Sequence, residues 1–143
     1  MTGTTSPYGT GATVGLGYEE AVERVKQALA VEGFGILCEI DVAATFKKKL
    51  DVDVKPYVIL GACNPPLAYR ALSAEPDLGL LLPCNVIVRA GERPDQTVIA
   101  AMDPVAALGL AANPTIAPVA AEVRVRLARA LEAVERDAFG RSQ

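Results

Sequence analysis

Tyr57-Val-Ile-Leu-Gly-Ala-Cys63 and Leu80-Leu-Leu-Pro-Cys-Asn-Val-Ile-Val88 are two apolar runs joined by Asn64-Pro-Pro-Leu-Ala-Tyr-Arg-Ala-Leu72. The runs have the length and the Val, Ile and Leu content of strands. The linker opens on a capping Asn followed by proline and carries Ala68, Ala71 and Leu72 as a packing face, so it reads as a short helix. Each run carries Cys-Asn beside a proline: Cys63-Asn64-Pro65 closes the first and Pro83-Cys84-Asn85 opens the second. If the runs are neighbouring strands, two thiols and two amides converge near one end of a sheet. Pro83 requires an edge, a bulge or a strand start at its position.

Outward from this stretch, the pattern alternates strand and helix. Residues 1–7 read as a flexible terminus, and Tyr8 to Leu16 as a first edge strand. Gly9-Thr-Gly-Ala-Thr-Val-Gly15 superficially resembles a dinucleotide-binding loop. Such a loop must follow a buried strand and open a helix, and too little chain precedes Gly9 for that. Tyr18 to Val31 is an amphipathic helix with Val22, Val25 and Leu29 on one stripe, ended by Gly33. Phe34 to Ile40 alternates as a strand, with Phe34, Ile36, Cys38 and Ile40 expected on one face, which makes Cys38 a core thiol. Asp41 caps a helix from Val42 to Leu50, and Lys47, Lys48 and Lys49 sit at its negative end.

Downstream, Gln96 to Met102 should pair back on the Cys84 strand as a hairpin. Asp103-Pro104 opens a short helix. Ile116, Val119, Val123, Leu127, Leu131 and Val134 form one stripe of a long final helix that starts near Ala117, past the awkward Pro118. The expected fold is a single α/β domain over residues 8–137, in the order β-α-β-α-β-α-β-β-α, with residues 138–143 frayed. It is a two-layer sandwich of a mixed sheet of about five strands, with helices mainly on one face. The other face would invite a homodimer.

The bulk properties narrow the function. The chain has 143 residues, 51% of them hydrophobic, and a net charge of -3. That is enough for one packed core, and the charge argues against a dedicated nucleic-acid binder. With no His, the chain has no Ser-His or Cys-His pair and no His-ligated metal. Three Cys without a secretory-type leader point to reduced thiols in a cytoplasm. Val105 to Ala121, the longest apolar stretch, is interrupted by Asn113, Pro114 and Pro118, so no membrane span is expected.

Gly33-Phe34, Ile40-Asp41, Lys49, Ile59-Leu-Gly-Ala-Cys-Asn-Pro65 and Leu81-Leu-Pro-Cys-Asn-Val86 together resemble the family called domain of unknown function 302. The two Cys-Asn motifs are the specific part, and the likeness spans nearly the whole chain. It implies a compact α/β fold, often dimeric, found mostly in bacteria and archaea, and it implies no reaction.

Three readings of the constellation stay open. In a ligand pocket or enzyme, the helix after Asn64 lowers the pKa of a thiol, Cys63 or Cys84, that acts with Asp41 as proton acceptor. Asn64, Asn85 and Lys49 then contact a small molecule. In a redox or thiolate-metal protein, Cys63 and Cys84 act as a pair, although their spacing is unlike Cys-x-x-Cys. In an interaction module the motifs are structural, since Cys is commonly buried and Asn commonly caps helices. No cofactor and no metal is called for by the residues.

Overall fold

A computed structural model describes residues 3–142 of the chain; Met1, Thr2 and Gln143 lie outside the described residues. Eleven elements follow one another: β1 (Gly3–Ser6), β2 (Gly9–Val14), α1 (Tyr18–Val31), β3 (Gly35–Asp41), α2 (Val42–Leu50), β4 (Tyr57–Cys63), α3 (Pro65–Ala74), β5 (Cys84–Ala90), β6 (Thr97–Met102), α4 (Pro104–Leu108) and α5 (Ala117–Ser142). The strands form one sheet in the order β1-β2-β6-β5-β4-β3. The α/β class and the two-layer arrangement are as expected. The sheet is not mixed, because every neighbouring pair is antiparallel. Its sixth strand is β1, in the segment read as a loose terminus: Gly3 and Thr4 pair with Gly11 and Thr10. Gly3, Thr4, Thr5 and Ser6 leave no apolar signal in the sequence from which a strand could be read.

Strand alternation builds the core. Val58, Leu60 and Ala62 of β4, Cys84, Val86 and Val88 of β5, and Ile99 and Ala101 of β6 are all buried on one face. Against them lie Ala21, Val25 and Leu29 of α1 and Val119, Val123, Leu127, Leu131 and Val134 of α5. Each large aliphatic side chain so buried stabilises the fold by about 1.5–3 kcal/mol. The long helix continues past the expected fray at residue 138, since Ala138 is itself buried in this core. Pro118 falls in its first turn, where a missing N–H is tolerated. The β5–β6 hairpin forms with Val88 opposite Ile99.

One expectation about β3 is overturned. The pairing with β4 shifts between Ile36 and Cys38, so Ile36 faces Ala62 while Cys38 faces Gly61. The extra residue, Leu37, reverses the alternation beyond it. Cys38 is therefore exposed on the opposite face from Ile36, where its Sγ lies over Gly61. It is not a core thiol. On this outer face the cover is partial: α2 and the segment leading into β4 lie over Tyr57 and Ile59.

Candidate functional site

Ala62 pairs directly with Cys84, which brings the two Cys-Asn motifs to the same end of neighbouring strands. Pro83 stands immediately before β5, as a strand-start proline should. Cys84 occupies the core face, whereas alternation turns Cys63 toward the other face just where β4 ends. A cavity of about 210 Å³ reaches round that strand end and is lined by both residues. Its walls are Phe34, Leu67, Ala68 and Ala71, with Val119 and Val123 from α5, and its mouth lies among Leu37, Leu72, Leu82 and Pro83.

All three cysteines are free thiols. Burial pushes the Cys84 thiol up to about 11, and the nearby Cys63 adds to the rise by like-charge repulsion. Burial also raises Cys63. The thiolate expected from the α3 dipole is thus outweighed by desolvation, and both groups are protonated near neutral pH. Two protonated thiols are weak nucleophiles and poor ligands for soft metals.

Asn64 is buried, and both ends of its amide are engaged in holding the fold. Its Oδ1 accepts from the backbone N–H of Leu67 at 3.4 Å, capping α3, and its Nδ2 donates to the carbonyl of Glu32 at 3.4 Å. The same carbonyl accepts from Arg126 Nη1 at 3.2 Å, while Glu32 Oε1 pairs with Arg129 at 3.0 Å. These bonds tie the end of α1, the start of α3 and the middle of α5 into one corner.

The other candidates lie elsewhere. Asp41 pairs in register with Val58, five residues along β4 from Cys63, or about 17 Å at strand spacing. Its Oδ1 accepts from the Ala44 N–H at 2.9 Å, so it caps α2. Lys49 is exposed on α2 and belongs to that same distant end. Asn85 is exposed and sits opposite Gly61, on the outer face. Cys63, Asn64 and Cys84 are brought together; Asp41, Lys49 and Asn85 do not join them at the cavity.

Sequence reasoning missed the apolar residues that shape the cavity. Val119 and Val123 were legible only as members of a packing stripe, and nothing local distinguishes a stripe residue over a void from one over a neighbour. The Glu32–Arg126–Arg129 corner was missed as well, because its partners lie 94 and 97 residues apart and nothing local marks the pairing. Among the described residues, no group of three or more His, Cys, Asp or Glu stands where it could hold a metal ion. No described helix is long and apolar enough to cross a membrane.

The sequence profile described as Domain of unknown function DUF302 matches residues 11–134. A solved structure, the crystal structure of an uncharacterised conserved DUF302 protein from Bacillus stearothermophilus, is 31% identical. The similarity covers 89% of this chain and 98% of that one, with a TM-score of 0.81. No protein with a curated description matches.

Proposed function

The chain belongs to the DUF302 family, and on that premise we propose that it is a small-ligand-binding protein whose site is the cavity between Cys63 and Cys84. The observation that carries this reading is the cavity itself: about 210 Å³, apolar, and lined by both cysteines and Asn64. A cavity of roughly 150 Å³ lined by apolar side chains stays dry and takes up benzene, so this one has room for a small organic molecule. Nucleophilic and redox chemistry fit less well, because both thiols are held above their ordinary pKa. In this reading the thiols are polarisable walls that contact the ligand.

Titration with benzene, followed by methyl NMR of Leu67, Leu82 and Val123, tests the proposal. Saturable shifts confined to these residues are expected. Ala68→Leu, which fills the half-buried wall, should weaken binding at least about tenfold. Bound benzene should also slow alkylation of Cys63 and leave exposed Cys38 as fast as before. Absence of saturable shifts, or an Ala68→Leu variant that binds as well as the parent, would overturn the reading.

A further inference from the structure

A second hollow, of about 740 Å³, lies on the outer face of the sheet, at the end away from the two Cys-Asn motifs. Its floor is Ile40, Tyr57 and Ile59, and its roof is Val42 and Phe46 of α2 with Val54 from the following segment. Phe46 is 40% exposed, Ile40 47% and Val54 44%, so the apolar surface here is left open. The volume is in the range of ordinary small-molecule sites.

Charge sets this hollow apart from a plain apolar face. Lys55 and Arg89 line it, and no Asp or Glu does. Arg89 is exposed and stands directly opposite Tyr57 in the β4–β5 ladder, and its guanidinium has no hydrogen bond or ion pair among the described residues. Lys55 Nζ donates to the Gly91 carbonyl at 3.2 Å, which leaves further ammonium protons to donate. Among the described residues no carboxylate is ion-paired with either cation, Glu92 beside Gly91 included. Asp51 and Asp53 are paired with Lys47 at 3.0 and 3.3 Å, and Asp41 caps α2.

From this arrangement we propose that the hollow binds a free amphipathic carboxylate: an alkyl chain laid between sheet and α2, with its carboxylate held by Arg89 and Lys55. A guanidinium without a partner offers the paired donors that match a carboxylate. A second copy of the chain docking by the same face would bring the same two cations toward each other, which disfavours that occupant.

Decanoate, octanoate and decanol are the probes, added to the full chain below their micelle concentrations and followed by calorimetry. Decanoate binds saturably, and octanoate, two methylenes shorter, binds roughly fifteenfold more weakly, since each buried methylene is worth about fourfold. Decanol binds at least about tenfold more weakly than decanoate. Arg89→Ala and Lys55→Ala, both at exposed positions, each weaken decanoate about tenfold and leave decanol unchanged, with unfolding midpoints near that of the parent. Equal affinity for decanol and decanoate would overturn the proposal, as would indifference to both substitutions. Loss of binding in Ala68→Leu alone would assign the ligand to the other cavity. Concentration-dependent dimerisation that excludes decanoate would assign the hollow to a second copy.

Discussion

Cys84 is 6% exposed, and its environment couples ionisation to folding. Its thiol moves from an ordinary 9.0 to about 11 in the folded chain, chiefly by burial. Below pH 9 the thiol is protonated whether folded or not, and the stability associated with the shift is fully present. As pH rises from 9 toward 11 the unfolded chain releases this proton first, so the native state loses stability by about 2–3 kcal/mol. Denaturant titrations across that window should show a steeper decline in the parent than in Cys84→Ala, which starts less stable and keeps only the slope contributed by other raised groups such as Cys63. Single residues were legible in the sequence wherever their role is local. Asp41, Asn64 and Asp103 were all readable as caps, because a cap needs only the next turn of helix. Cys38 was not legible. Its face depends on one extra residue in the pairing with β4, and a bulge belongs to two strands rather than to one.

The corner that joins α1, α3 and α5 depends on Gly33 and Asn64. Gly33 has φ +88°, and a Cβ there would stand 2.9 Å from Asn64 Nδ2. Gly33→Ala therefore combines left-handed strain with displacement of the Asn64 amide, and should destabilise by about 1–3 kcal/mol. Asn64→Ala removes the α3 cap and one of the two donors to the Glu32 carbonyl. Arg126 still reaches that carbonyl, so the expected loss is smaller, about 1–2 kcal/mol. Urea midpoints of the two variants check the order; an Asn64→Ala chain as stable as the parent would show that the corner is held by Arg126 alone. Elements with strong periodicity, α1 and α5 above all, were readable before any coordinates. The strand β1 was not, since Gly3, Thr4, Thr5 and Ser6 carry no hydrophobic alternation.

At the scale of the whole molecule, one hydrophobic layer between the sheet and the α1–α5 pair accounts for most of the stability. Leu131 has no exposure and sits in that layer. Leu131→Ala should lower the unfolding free energy by about 2–5 kcal/mol, a large part of the roughly 5–15 kcal/mol typical of a domain. A loss under about 1 kcal/mol in denaturant titration would show that the layer repacks. The class of the fold was legible because alternation and helical stripes report burial. Strand order was not: α1 carries the chain from β2, near one edge, to β3 at the far edge, and periodicity does not say how far a crossover reaches. That leaves β3 as an outer strand, largely solvent-exposed, with Leu37 breaking its hydrogen-bond rhythm. The irregularity acts as a guard. A smooth outer strand offers a template on which further chains can stack into fibrils, and a kinked one does not. Excising Leu37 would remove more than a side chain: with Cys38 still opposite Gly61, it would straighten the strand and present a continuous rim to any neighbouring molecule.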